Sequence, residues 1–183
     1  MMLRSFKARA QLQRKAGEIY GAVVTQARQP DFYLKLAIPD TPQGRYEIVV
    51  IHLFLVLERL RGAPHAGELQ RVLIETFVAD MDASLRELGT GDLSVGRKVQ
   101  RAAAGFYARS GDYRAGLAES GEQALEQALT KHVGAEATVN IQAAVLARYI
   151  RLAAAKLEEQ SADVILAGVV AFPAPGAIAE EAP

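Results

Sequence analysis

A ten-residue apolar run sets the strongest limit on how this chain can fold. It extends from Ile48 to Leu57 and is interrupted only by His52. Ten helical residues rise about 15 Å, roughly half of a bilayer's hydrocarbon core. The run is therefore too short to span a membrane. Because it is apolar on all sides, it predicts a helix over residues 43–60 that is buried on most of its surface.

Apolar residues recur at three- and four-residue steps along most of the remaining chain, as they do in amphipathic helices. The further helical segments predicted in this way are residues 6–28, 31–37, 66–88, a helix beginning at Asp92 or Ser94, a short helix ending at His132, and residues 136–158. We expect Gly111 to end the helix that begins near residue 92. Ser120 and Gln123 resemble a capping box for the next helix.

Strand and hairpin signatures are absent from the sequence, since no stretch alternates between apolar and polar residues. We therefore expect an all-α fold, a single compact helical domain of about six to eight helices. The domain is predicted to cover residues 1–172, including a basic N-terminal segment at 1–17. The Pro/Ala-rich tail at residues 173–183 is expected to be disordered.

The charge of the chain is balanced overall but uneven along its length. It carries 21 basic and 21 acidic residues, which argues against a general nucleic-acid binder. Residues 1–17 hold basic side chains and no acidic one: Arg4, Lys7, Arg9, Arg14 and Lys15. This segment is a candidate contact for anionic lipid headgroups or ribosomal RNA, and a solvated helix end is the alternative.

Residues that commonly carry catalysis or bind metals are sparse. The chain has no cysteine, which excludes disulfides, thiolate metal sites and cysteine nucleophiles. None of the three histidines has a partner at metal-ligand spacing. We expect His52 to be a hydrogen-bonded core residue, and His65 and His132 to lie in a surface loop or at a helix end. No phosphate-binding loop follows a strand. We therefore expect neither an enzyme nor a bound cofactor. Direct ligation of haem is not expected either.

Asp80 is an unusual residue because it falls on the apolar stripe of the helix predicted at 66–88. A magnesium site with Asp82 is not expected, since the residue one turn after Asp80 is Ser84. A buried carboxylate is costly unless it is paired. One interpretation is an ion pair with a basic residue of the following helix, Lys98, Arg101 or Arg109. The other is that this part of the stripe is a partly open groove for a partner.

A long motif in the centre of the chain resembles the signature of the ubiquinol–cytochrome c chaperone family. The similar stretches are Ala79-Asp80-Met81-Asp82-Ala83-Ser84-Leu85-Arg86-Glu87-Leu88-Gly89-Thr90-Gly91-Asp92-Leu93-Ser94-Val95, Phe106-Tyr107-Ala108-Arg109 with Tyr113, Arg28 to Tyr33, Ile38-Pro39-Asp40-Thr41 with Gly44-Arg45, and the helix ending in Arg59-Leu60. The resemblance covers about residues 18–160. Ala108 departs from the usual glycine, and the run after Lys98 is less lysine-rich than in the family.

The resemblance implies an assembly chaperone for respiratory complex III that is not an enzyme. Mitochondrial relatives bind newly made cytochrome b, act with a small partner protein and work near the exit of the mitochondrial ribosome. The absence of a long transit segment indicates a bacterial member. By analogy, it would be cytoplasmic and peripheral to the inner membrane, whereas a eukaryotic member would be mitochondrial.

The partner-binding surface is predicted on the two helices that flank Gly89–Gly91. Its candidate residues are Asp80, Asp82, Arg86, Asp92, Lys98, Tyr107, Arg109 and Tyr113. Asp82, Arg86 and Asp92 would form its polar rim, and Phe106, Tyr107 and Tyr113 would supply aromatic contacts, which often dominate interface energy. Core packing is the alternative for the aromatic residues, and we favour it for Phe106. A second hypothesis is a membrane or ribosome adaptor that acts through the basic N-terminal helix.

Overall fold

The computed structural model of the chain describes residues 2–87, 92–134 and 142–178. The helices in these ranges are α1 (Met2–Ala27), α2 (Asp31–Leu34), α3 (Pro42–Arg59), α4 (Ala66–Glu87), α5 (Asp92–Ala118), α6 (Gln123–His132), α7 (Ala143–Glu158), α8 (Ala162–Leu166) and the 3-10 helix η1 (Pro175–Ile178). The described residues contain no strand, and the predicted all-α class is confirmed.

Helix α3 lies at the centre of the fold, as its apolar run predicts. It packs against α1, α5 and α7, while α1, α4, α5, α6 and α7 follow one another as neighbours around it. The fully buried apolar side chains of α3 include Ile48, Val50, Ile51, Leu53, Phe54 and Val56. Burial of each such side chain contributes about 1.5–3 kcal/mol relative to exposure, so α3 anchors the core.

The start of α3 is fixed by residues of the proline-rich loop before it. The hydroxyl of Thr41 accepts a hydrogen bond from the backbone N–H of Gly44 at 3.1 Å, which makes Thr41 the N-cap. Pro42 follows as the first helical residue, where its missing N–H costs nothing. A Cβ at position 44 would lie 1.9 Å from the carbonyl oxygen of Pro39, so only glycine fits there.

Helix α5 continues through Gly111 to Ala118, so the prediction that Gly111 ends it is wrong. A glycine inside a helix costs about 1 kcal/mol, which packing on the buried face can offset. That face carries Phe106 and Tyr113, both buried, and the hydroxyl of Ser110 donates to the carbonyl of Phe106 at 2.8 Å.

The turn between α5 and α6 is held from a distance by Arg151 of α7. Its guanidinium donates to the carbonyl oxygens of Gly116 and Glu119 at 2.9 Å and of Gly121 at 2.5 Å. The predicted capping box is wrong, since α6 follows Glu122 and has no side-chain cap hydrogen bond. The Arg151 contacts occupy carbonyls that a helix end leaves without partners.

A second apolar run of the sequence, residues 164–172, docks on the helical body. Ile165 of α8 is fully buried, and the ring of Phe172 meets that of His52 edge-on at 5.0 Å. The first residues of the predicted tail also make contacts, since Pro173 accepts a hydrogen bond from Gln26 at 2.7 Å and η1 follows. Residues 179–183, and the predicted start of α7 near residue 136, lie outside the described residues. The domain boundaries stay a prediction.

Candidate functional site

Asp82 and Arg86 lie on the outer side of α4 and form the helical ion pair that their spacing predicts. The Arg86 Nε donates to Asp82 Oδ2 at 2.8 Å, with about half of the arginine side chain and 38% of the aspartate side chain exposed. Exposed pairs of this kind contribute about 0.3–0.5 kcal/mol, so folding gains little from them. Both side chains are accessible to a partner.

Tyr107 is an exposed aromatic residue on α5, with 59% of its surface accessible. It packs edge-on against the ring of Phe106 at 5.6 Å. Phe106 is buried and contacts Phe77 of α4 at 5.6 Å, which confirms core packing for Phe106 and shows that α4 and α5 lie side by side. We call Asp82, Arg86 and Tyr107 the α4–α5 surface.

Asp80 is not paired with Arg109, one of the partners predicted for it. Its side chain is exposed and accepts a hydrogen bond from the hydroxyl of Tyr20 of α1 at 2.9 Å. Burial of that phenol, followed by its proximity to Asp80, raises the pKa of Tyr20 above its usual range. Asp80 therefore links α4 to α1 at the edge of the apolar stripe.

Arg109 lies in an interior ion pair and not on the predicted binding surface. Its Nε and Nη2 donate to the two carboxylate oxygens of Glu47 at 2.7 and 2.6 Å. The Glu47 side chain is 1% exposed and that of Arg109 is 18% exposed. Gln43 adds a third hydrogen bond to the carboxylate at 2.7 Å. Hydrogen bonding to Glu47 raises the pKa of Arg109. The pair joins α3 to α5.

The space for this guanidinium depends on neighbouring residues. A Cβ at Gly105 would lie 2.8 Å from an Arg109 nitrogen, so a side chain there would displace the arginine. The guanidinium carbon lies 5.6 Å from the ring centre of Tyr46, within cation–π range. The Tyr46 hydroxyl donates to the carbonyl of Ala102 at 3.1 Å, and burial raises the pKa of Tyr46 to about 12.

Tyr113 is fully buried, so the prediction that it contacts a partner is wrong. Its ring packs against Phe54 at 5.8 Å and edge-on against His132 at 5.7 Å. Burial raises the pKa of the Tyr113 phenol above its usual range. Three-residue spacing from Ser110 places Tyr113 on the inner face of α5, which explains why an aromatic residue is found there.

Two further candidates of the predicted binding surface belong to α5 near its start. The backbones of Asp92 and Lys98 are helical, but their side chains lie outside the described residues. Their role in binding stays a prediction.

Lys7 and Arg9 lie on the part of α1 that precedes Leu12, where its contact with the core begins, whereas Arg14 and Lys15 follow Leu12. Lys7, Arg9 and Arg14 are exposed and Lys15 is half-buried, while the side chain of Arg4 lies outside the described residues. An exposed Phe6, 75% accessible, accompanies them. The described helices include none that is long and apolar enough to cross a bilayer.

His52 is a hydrogen-bonded core histidine, as predicted. Its Nδ1 lies 2.7 Å from the carbonyl oxygen of Ile48 and its Nε2 lies 2.8 Å from the hydroxyl of Tyr149. A carbonyl only accepts, so Nδ1 carries the proton and Nε2 accepts from Tyr149, which in turn accepts from Gln26 at 2.9 Å. Burial lowers the pKa of His52 to about 4, so the ring is neutral near pH 7.

His132 is the last residue of α6, a helix-end position as predicted, but its side chain is largely buried. Its side chain is 11% exposed, and its Nε2 lies 2.7 Å from the carboxylate of Asp112, which also accepts from Lys131 at 2.8 Å. The hydrogen bond from Lys131, followed by that from His132, lowers the pKa of Asp112. His65 is exposed in a loop, as expected.

Acidic and histidine side chains do not converge on a metal-like site in the described residues, where no group of three such ligands occurs. A surface groove of about 680 Å³ between α1 and α4 contains two carboxylates, Glu68 and Glu75. Both bind Arg71, the former at 2.9 Å. These carboxylates therefore take part in a surface ion-pair network.

The chain matches a known protein family and a solved structure. The sequence model of the ubiquinol-cytochrome C chaperone family matches residues 34–172. The chain is also similar to the crystal structure of the Cbp3 homologue from Brucella abortus, with 34% identity and a TM-score of 0.84. That alignment covers 97% of this chain and 99% of the other. No curated protein matches the chain.

Proposed function

The chain belongs to the ubiquinol–cytochrome c chaperone family, and from that premise we propose that it binds newly made cytochrome b during the assembly of ubiquinol–cytochrome c reductase. In this proposal it acts without catalysis, as a binding partner that covers incompletely assembled surfaces. The observation that carries the proposal is the family match over most of the chain, together with a solved relative of the same fold.

The α4–α5 surface is the part of the molecule that we assign to this binding. Tyr107 offers an exposed aromatic side chain on a rigid base, because Phe106 and Phe77 pack in the core behind it. Aromatic residues held in this way are typical of energetically dominant interface contacts. In this proposal Asp82 and Arg86 supply the polar rim, and Arg86 lies about 14 Å along the α4 axis beyond Phe77.

Site-specific photo-crosslinking in a respiring bacterial host tests this assignment. A crosslinkable residue replaces Tyr107, and the control replaces Gln127, an exposed residue of α6. We expect crosslinks to cytochrome b from position 107 and none from position 127. Crosslinks from neither position, with both variants folded, would contradict the cytochrome b proposal. Crosslinks from position 127 alone would move the surface to α6.

A charge reversal at Arg86 tests the rim. Because Arg86→Glu exchanges one exposed charged side chain for another, it should leave the melting temperature within a few degrees of the wild type and abolish cytochrome b capture. The matched control is the exchange Asp82→Arg with Arg86→Asp, which keeps an ion pair and reverses its direction. Equal losses of folding and capture in Arg86→Glu would show that Arg86 acts through stability.

A second candidate function, peripheral attachment to a membrane or ribosome, rests on the exposed start of α1. Phe6 beside Lys7 and Arg9 has the composition of a segment that inserts one apolar side chain among anionic headgroups. Leu12 begins the contact with the core, so a deletion that ends at Gln11 spares it. Loss of flotation with anionic vesicles on that deletion, with cytochrome b capture retained, would assign attachment to α1.

A further inference from the structure

Residues 169–174, between α8 and η1, cross the helical body without forming helix or strand. Their side chains alternate, with Val169 and Ala171 exposed and Val170 and Phe172 turned toward the body. In the described chain, residues 170–174 form no backbone–backbone hydrogen bond with a helix. This segment is therefore attached to the body in a different way from a strand in a sheet.

Two side-chain amides hold the backbone of this segment. Gln160 accepts from the N–H of Ala171 and donates to its carbonyl, both at 2.9 Å, and Gln26 donates to the carbonyl of Pro173 at 2.7 Å. The Gln160 amide contacts only peptide N–H and C=O groups, so it recognises the backbone and imposes no side-chain identity.

The apolar part of the groove is a cluster of rings beneath Phe172. The ring of Phe32 meets His52 at 5.4 Å and Tyr149 at 5.0 Å, and Phe172 completes the cluster on His52. The anchoring amides are uncharged, and His52 is neutral near pH 7. The groove therefore suits an uncharged segment that carries one large apolar side chain.

Glycines stand where the segment enters and leaves this groove. Gly168 has a φ of +106°, a backbone conformation that favours glycine. A Cβ at Gly176, which belongs to η1, would lie 2.3 Å from a carboxylate oxygen of Asp31, so a side chain there would displace that flexible carboxylate. The groove thus holds the residues between these two glycines.

We infer that the groove formed by Gln26, Phe32, His52, Tyr149 and Gln160 is a binding site for an extended apolar segment of an unassembled membrane protein, and that residues 168–176 are its resident competitor. The inference deepens the proposed function, because it assigns a second surface to the handling of a client. A client segment would displace the resident one and reproduce its backbone contacts.

Peptide binding to the full chain tests this inference. The probe is a fluorescent peptide with the sequence of residues 167–176, and binding is followed by fluorescence anisotropy. Wild type should bind weakly, because the tethered segment competes at a high effective concentration. Phe172→Ala weakens that competitor and should bind the probe at least about tenfold more tightly. Val169→Ala, a change at an exposed residue of the same segment, should behave as wild type.

The probe itself supplies the specificity control. A peptide in which alanine replaces the phenylalanine should lose binding to the Phe172→Ala chain. Absence of probe binding to a folded Phe172→Ala chain, or equal binding of both peptides, would overturn the inference. Because no cytochrome b is present, such a failure leaves the assignment of the α4–α5 surface untouched.

Hydrogen exchange in the wild-type chain gives an independent answer if Phe172→Ala does not fold. The amides of Val170, Ala171 and Phe172 should exchange through local opening, while amides in α3 and α7 stay protected. If these three amides exchange only together with α3 and α7, the segment is a permanent part of the core and the inference fails.

Discussion

Removal of the Arg109 side-chain charge should destabilise the protein and do so mainly through Glu47. In Arg109→Met the length and apolar character of the side chain are kept, while its hydrogen bonds to the carboxylate are lost. Breaking a buried ion pair from one side costs about 3–5 kcal/mol. Because the Arg109 side chain is 18% exposed and Gln43 still donates to Glu47, we expect about 3 kcal/mol.

The pH dependence of the stability of Arg109→Met shows whether the unpaired carboxylate of Glu47 causes the loss. An unpaired buried carboxylate favours its protonated form, so folded Arg109→Met binds more protons than the unfolded chain at mildly acidic pH. The stability of the variant relative to wild type should therefore fall as the pH rises from 5 to 8. In the double variant Glu47→Gln with Arg109→Met the charge is absent, and both the pH dependence and much of the loss should disappear.

Urea unfolding followed by circular dichroism measures these differences in stability. Crosslinking from a probe at position 107 reports cytochrome b binding in the same variants. The reasoning would be refuted if Arg109→Met stayed within about 1 kcal/mol of the wild type. Unchanged stability with lost cytochrome b capture would return Arg109 to the binding surface, where the sequence interpretation had placed it.

Two further predictions concern the core. The pKa of His52 is about 4 when folded, against 6.5 for an ordinary histidine, so its contribution is complete above pH 6.5 and is lost as the pH falls toward 4. We expect His52 to account for about 3 kcal/mol of that loss, measured as the difference between wild type and His52→Gln in urea unfolding; equal pH profiles would contradict it. Gly44→Ala should cost at least about 2 kcal/mol, because its Cβ would meet the Pro39 carbonyl. Gly17→Ala, in open space within α1, should be neutral or stabilising by up to about 1 kcal/mol, and similar melting temperatures for the two variants would refute the steric argument.

Elements whose periodicity is long and uninterrupted were predicted well from the sequence. The expected helices at 43–60 and 66–88 agree with Pro42–Arg59 and Ala66–Glu87 to within a residue at each end. Proline and glycine bound both of them, and local signals of this kind act within a few residues. The prediction that α5 ends at Gly111 was wrong because the low helix propensity of one glycine is outweighed by the tertiary packing of the helix face around it.

The sequence did not predict which residues of other helices pair with Arg109 and Asp80. Arg109 and Glu47 lie 62 positions apart, and Asp80 and Tyr20 lie 60 positions apart. Helical spacing relates residues three and four apart and says nothing about pairs between helices. Glu47 did offer one signal, since it is an acidic residue directly before the apolar run of α3, on the turn that enters the core.

The capping of α5 by Arg151 makes the unfolding of two separate helices cooperative. In the last turn of α5 the carbonyls of Gly116 and Leu117 accept hydrogen bonds from Arg151 of α7, so departure of α7 exposes acceptors at the end of α5. Partial opening that frees α7 alone is therefore disfavoured, and the two helices form one cooperative unit. Tyr107 lies on α5, whose end is held by Arg151 of α7. Arg151 therefore helps to maintain the shape of the surface assigned to cytochrome b, although it lies outside that surface.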